Sequence, residues 1–340
     1  MLQLSLLDYS PLDEHATARQ ALQATTQLAQ RADALGFKRF WVSEHHSRPT
    51  LAGSNPELLM MYLAAHTQRI RIGSGGVLLP HYSAYKVAEG INLLETLYPG
   101  RIDLGTGRAP GGGQLAAQAL NEGKTELVPY EQQVQELKAF LTNSGQAAVG
   151  YPGLLATPVS ATRPELWTLG AGSGSADIAA EEGTSFIFAH FINASGMGVE
   201  AQARYRARFQ PSAFLPQPHT MVAVFVAIAE TSTAAEELAR AFDHWLLRSE
   251  TGQVMTGYPT PAAVAAYPYT AQERQHMRRN RQRILVGNPH EVKEQVLALA
   301  ARYQTSEIML LPNVSGAANR LKSIELLAEV FALVPEVALL

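Results

Sequence analysis

The chain is 340 residues long, 46% hydrophobic and 17% charged, an ordinary globular composition for one large domain or two smaller ones. Its 27 Lys+Arg against 30 Asp+Glu give a net charge of −3, so no basic excess points to nucleic acid or an anionic membrane. It has no cysteine, which excludes disulfides, thiolate metal sites and cysteine nucleophiles.

The N-terminal "MLQLSLLDYSPLDEH" lacks the basic stretch and cleavage site of a signal peptide. No apolar run approaches the ~18 residues of a membrane span, so a cytoplasmic protein is expected. "LQLSLLDYS" reads as a strand ending on Asp8, Tyr9 and Ser10. A helix over about Thr17–Leu35 follows, with Leu22, Leu28, Ala29, Ala32 and Leu35 at helical spacing and Gly36 as its C-cap. Then come the strand "RFWVSEH", a helix from "NPELLMMYLAAHT", the strand "RIRIGSGGVLLP", the helix "YKVAEGINLLETL" and the strand "RIDLGTGR". A long loop precedes the helix "YEQQVQELKAFL".

The second half keeps the rhythm. "ELWTLGAG" is a strand and "SADIAAEEG" a helix; "TSFIFAHF" is a strand, followed by a helix near Glu200–Phe209. "TMVAVFVAIAE" is a β-branched strand, and "TAAEELARAFDHWLLRS" a helix opened by a threonine cap. "PHEVKEQVLALAARY" and "EIMLLPNV" supply the last helix–strand step before a C-terminal helix from about Ala317. Eight strands joined through helices pair in parallel and predict a single (β/α)8 barrel; a doubly wound open sheet is the alternative. Residues 250–285, rich in Gly and Pro and carrying "RRNRQR", break the rhythm and are expected to form a lid insertion.

In such a barrel the site lies where strands end. "GAGSGSADIAAEEG" runs from strand into helix; Gly170, Gly172 and Gly174 leave amides open, and Ser173 and Ser175 add hydroxyls at a helix start suited to phosphate. The bland alternative is a glycine-rich turn capped by Ser175. Arg108, ending the neighbouring strand, is placed to meet the same phosphate. In "WVSEHHS", His45 and His46 are adjacent, so a strand would turn them to opposite faces, and no HExxH or carboxylate cluster supports a metal. One histidine is expected to point into the barrel mouth as an acid–base group, with the other supporting it from the rim. His190 in "FIFAHF" is read as a packed or hydrogen-bonded strand-end residue, and His66, His81 and His219 as structural or solvated. The pocket walls are expected from Leu6, Asp8, Tyr9, the loop after Arg108 and the lid segment.

Taken in order, "WVSEHHS", "NPELLMMYLAA", "RIRIGSGGVLLP", "LLETLYPGRIDLGTGRAPGG", "LGAGSGSADIAAEEG" and "VGNPHEVKEQV" resemble the bacterial luciferase-like monooxygenases over nearly the whole chain. The resemblance implies a (β/α)8 barrel, reduced FMN (a deazaflavin in some branches), a small organic substrate and often a homodimer. His45 matches the family histidine that faces the flavin and acts in catalysis, with Glu44 beside it and His46 supporting. Gly75–Gly76 matches a non-prolyl cis peptide behind the flavin ring. Thr106 and Arg108 fall in the cofactor-binding strand end, Arg108 matching the arginine that grips the FMN phosphate. Gly172, Ser173, Gly174 and Ser175 match the phosphate turn, although many relatives carry larger residues than glycine at 172 and 174. With no redox cysteine or second cofactor motif, a separate flavin reductase is expected to supply FMNH2. Competing readings are a deazaflavin-dependent hydride-transfer enzyme, a non-catalytic flavin-binding barrel and a phosphate-binding barrel isomerase.

Overall fold

The structure, a computed structural model, describes residues 2–142 and 151–335. Its strands are β1 (Gln3–Asp8), β2 (Arg39–Val42), β3 (Arg71–Ser74), β4 (Val77–Leu78), β5 (Ile102–Gly107), β6 (Glu165–Gly170), β7 (Ser185–Ala189), β8 (Thr220–Ile228), β9 (Ile284–Gly287) and β10 (Glu307–Leu311). All pair in parallel, in the order β10-β1-β2-β3-β5-β6-β7-β8, and β10 also pairs β8, so these eight close into the expected (β/α)8 barrel. β4 and β9 stand outside that ring, on β5 and β8 respectively.

Strand alternation divides the core in two. One set of strand residues, among them Leu4, Leu6, Phe40, Val42, Ile72, Val222 and Ile308, packs outward under the helices. The opposite set, including Leu7, Trp41, Trp167, Ile187, Met221 and Met309, fills the barrel itself. Gly73 belongs to the interior set because a Cβ there would lie 2.5 Å from Trp41 Nε1. Trp41 in turn donates to Asp103 Oδ2 at 2.8 Å. At the bottom of the barrel, buried Arg39 lies 2.8 Å from both Asp103 and Glu307.

The first helix, Ala18–Leu35, shows why the sequence signals worked. Thr17 and Gln20 form a capping box, Leu28, Ala29 and Ala32 are buried, and Gly36 closes it at φ 89° with its N–H on Ala32 O. Two local features differ from the sequence reading. "RIRIGSGGVLLP" is broken at the cis peptide Gly75–Gly76 into β3 and β4. The long loop after β5 contains a helix, Gln114–Leu120, that buries none of its residues and so carries no amphipathic stripe.

Residues 250–285 include helices Pro261–Val264 and Ala271–Asn280 and lead into β9. The segment is pinned near its start. Buried Tyr258 stacks on Trp245 with centroids 5.4 Å apart, donates its hydroxyl to Asn313 O at 2.5 Å and its N–H to Leu12 O at 2.6 Å.

Candidate active site

Glu44 and His45 follow β2, Gly75–Gly76 follow β3, Thr106 and Arg108 end β5, and Gly172–Ser175 follow β6. These are four neighbouring strands of the barrel, so one end of it gathers every residue expected to act.

The two histidines diverge because they continue the strand's alternation. His45 shares the phase of Trp41 and Ser43: its ring packs edge-on against Tyr9 at 4.7 Å, and its Nδ1 lies 2.9 Å from Ser43 Oγ. Among the described residues no partner engages its Nε2, which leaves that nitrogen for a ligand. Burial, then the charge of Arg48 and the neighbouring His46, lower its pKa to about 4, so the ring is neutral at ordinary pH. His46 turns the other way and gives its Nε2 proton to Glu44 Oε1 at 2.7 Å. Buried Glu44 also accepts from Tyr82 hydroxyl at 2.5 Å and Leu78 N–H at 2.8 Å. Its oxygens are thereby committed to fixing β4 and the turn after it. Among the described residues no three His, Cys, Asp or Glu side chains gather as metal ligands.

A folded-state pKa below the free histidine value means that His45 contributes stability above pH 6.5. That contribution is lost as pH falls from 6.5 to about 4. Between pH 7 and 4, wild type should therefore lose about 3 kcal/mol more unfolding free energy than His45→Gln. Urea titrations at the two pH values check this; parallel losses would refute it.

Gly75 and Gly76 are packed on their barrel side. A Cβ on Gly76 would lie 2.7 Å from Gly105 O and one on Gly75 2.8 Å from Leu7 Cδ1. A side chain at Gly76 would have to displace the β5 backbone and one at Gly75 the Leu7 side chain, so this stretch presents a flat edge to the mouth. Thr106 is buried with its hydroxyl 2.8 Å from Tyr130 hydroxyl, so its side chain is spent on holding the helix that Tyr130 begins.

Arg108 and the turn after β6 meet. Its exposed guanidinium donates to Ser175 Oγ at 3.2 Å and lies over the Tyr130 ring at 5.9 Å. The helix Ser173–Glu181 starts at Gly172 with no side-chain cap. A Cβ on Gly172 would meet nothing within 4 Å, and one on Gly174 only Arg108 Nη2, at 3.6 Å. The result is an open, positively polarised gap between free helix amides and a guanidinium, fit for a phosphate group.

Some expected walls lie elsewhere. Leu6 is fully buried among the outward set, and Asp8 turns to Thr25 Oγ1 at 2.5 Å and Ser10 N–H at 3.1 Å. The interior phase of β1 is Leu7 and Tyr9, and only Tyr9 of the expected β1 wall reaches His45. His190 has both ring nitrogens occupied, by Tyr303 hydroxyl at 2.9 Å and Gln282 O at 3.1 Å. His81 braces the mouth between Pro110 O at 3.1 Å and Asn121 at 2.9 Å, with its ring 6.3 Å from His46. Ser43, Tyr82, Asn121 and Tyr130 were missed by the sequence reading; of these only Ser43 carried a signal, two residues before His45 on one strand phase.

Residues 3–306 match the family model described as Luciferase-like monooxygenase. The uncharacterized protein YwcH of Bacillus subtilis (strain 168) is 48% identical over 333 residues, covering 98% of this chain and 100% of its own. N-acetyl-S-alkylcysteine monooxygenase of the same organism is 36% identical over 331 residues, covering 97% and 98%. The crystal structure of apo-MsnO8 matches with a TM-score of 0.90 at 35% identity, covering 99% and 100%. The oxygenating constituent of 3,6-diketocamphane monooxygenase from Pseudomonas putida, solved with FMN, shares the fold at a TM-score of 0.69 and 20% identity over 100% of both chains. The closed barrel, the site on its four adjacent strand ends and these near-full-length matches agree: the chain belongs to the luciferase-like monooxygenase family.

Proposed function

We propose that the chain is an FMN-dependent monooxygenase. It takes reduced FMN from a separate flavin reductase and transfers one atom of O2 to a small organic substrate, the other leaving as water. The observation that carries this reading is the gap between Arg108 and the uncapped helix start at Gly172–Ser175, beside a glycine edge and a neutral histidine. Reduced FMN, when bound, supplies the electrons that activate oxygen.

The chain's own residues have distinct tasks in this reading. Arg108, the amides after Gly172 and Ser175 hold the phosphate, while Gly75–Gly76 back the ring system. His45, held by Ser43 and Tyr9, offers Nε2 as a neutral proton acceptor or donor towards the reacting atoms. Glu44 is a positioning residue through His46 and Tyr82. The relative that is named for S-alkylcysteines supports thioethers among the substrates. Exposed Leu58 and Tyr62 on one helix, with Leu93 and Leu97 on the next, support a homodimer.

Anaerobic titration with reduced FMN and reduced riboflavin tests the cofactor site. Wild type should prefer FMN over riboflavin by about 100-fold, and Arg108→Ala should reduce that preference by about 10-fold or more, since the ion pair contributes about 1.5–3 kcal/mol. Equal affinity of wild type for both flavins, or stronger binding of a reduced deazaflavin, would overturn the reading.

A further inference from the structure

The loop that follows the histidine pair borders a half-open pocket of about 570 Å3. One wall is residues 47–50, directly after His46; a second is 113–116; the third is 249–250 with 252–255, at the end of the long helix Ser232–Glu250. The second wall is tied to the site, since a Cβ on Gly112 would lie 2.8 Å from His46 O. Two apolar side chains of this lining, Leu115 at 82% and Val254 at 84% exposure, are left to solvent, with Met255 beside them.

The charges of the pocket do not balance. Among the described residues its carboxylate is Glu250, which is already engaged by Arg283 at 2.5 Å, His276 at 2.8 Å and Asn280 at 2.8 Å. Gln253 is likewise taken by Arg248 at 2.6 Å. Among the described residues Arg48 has no hydrogen bond or ion pair through its guanidinium; its carbonyl accepts from Leu51 N–H at 3.0 Å. Its loop is nevertheless fixed. Pro49 stiffens it, Thr50 O accepts from Leu12 N–H at 2.8 Å, and Thr50 Oγ1 accepts from Trp245 Nε1 at 3.3 Å. The Arg48 side chain is exposed on this fixed loop, so an unpaired guanidinium beside apolar walls offers a charge-assisted contact to an amphipathic anion.

We propose that this pocket is the substrate's anchoring site and takes a small organic anion, its carboxylate on Arg48 and its apolar body between Leu115 and Val254–Met255. The substrate atom to be oxygenated then extends towards His45. The inference rests on the monooxygenase reading only in naming the occupant as the substrate; the anion site itself stands on the pocket.

The test is calorimetric titration of the FMN-loaded protein with 4-(hexylthio)butanoate and with its uncharged methyl ester. Wild type should bind the acid about 10- to 100-fold more tightly than the ester, the range of a charge-assisted pair. Arg48→Ala should equalise the two, Arg48→Glu should weaken the acid further, and Arg48→Lys should keep part of the preference, which separates charge from misfolding. A wild type that does not distinguish acid from ester, binds neither, or is matched by Arg48→Glu overturns the inference. Oxygen-18 analysis of the same mixtures, supplied with FMNH2 and labelled O2, separates the two readings. Arg48-dependent binding without labelled product removes the monooxygenase and leaves the anion site; labelled product from acid and ester alike does the reverse.

Discussion

Replacing Arg39 with alanine is expected to cost about 3–5 kcal/mol of stability, the largest effect of any substitution considered for this chain. Arg39 is 2% exposed at the bottom of the barrel, with Nη1 2.8 Å from Asp103 and 2.7 Å from Glu165, and Nε 2.8 Å from Glu307. Its guanidinium also lies over the Trp167 ring at 4.9 Å. Burial alone would raise the Glu307 carboxyl, but Arg39, with bonds from His219 and Ser5, overrides it and holds the pKa at about 2. Without Arg39, two fully buried carboxylates face each other with less compensation in a low-dielectric interior. Arg39→Lys keeps the charge but not the fork that reaches three carboxylates, so an intermediate loss is expected. Urea denaturation of the three proteins at neutral pH measures it. A loss below about 1 kcal/mol for Arg39→Ala would show that the network does not support the barrel.

His45→Ala is expected to slow oxygenation by about 10²–10⁴-fold while changing the affinity for reduced FMN only a few-fold. The histidine sits at the mouth with Nδ1 on Ser43 and, among the described residues, no partner on Nε2, while Arg108, assigned to the phosphate, bonds Ser175 instead. His45→Gln should recover little of the rate, because an amide can hydrogen-bond but cannot exchange a proton near neutral pH. The alternative is that His45 only packs against Tyr9. In that case Gln and Ala would lower stability and leave the rate per folded enzyme unchanged. Single-turnover rates with bound FMNH2, set beside flavin affinity and melting temperature for each variant, distinguish these outcomes.

Much of the barrel was legible because each strand–helix unit carried its own period. Leu28, Ala29 and Ala32 marked a helix face, and β8 marked itself by nine consecutive buried residues. β9 was not legible. Ile284–Gly287 is four residues long, follows an arginine-rich helix, and pairs only with the overhanging end of β8. Such a strand exists because a neighbour runs long, which local sequence does not record.

The site divides in the same way. The histidine pair, Arg108 and Ser175 stood out because strand ends are where a parallel barrel must place chemistry, whereas the choice of His45 within the pair and the attention to Gly75–Gly76 came from the family resemblance. The strand phase of β1 was also readable, since Leu7 and Tyr9 alternate with Leu6 and Asp8, but Asp8 drew attention as a polar residue although it serves Thr25. Tyr82 on Glu44 and His81 with Asn121, like the surroundings of Arg48, depend on loops that meet only after folding.

The most direct test of the monooxygenase account is the fate of molecular oxygen. Purified protein given FMNH2 and oxygen-18 gas should convert members of a panel of small thioethers, ketones and aldehydes to products carrying one heavy oxygen atom, read by mass spectrometry. Reoxidation of bound FMNH2 with no labelled product from any member, or product oxygen drawn from water, would contradict it.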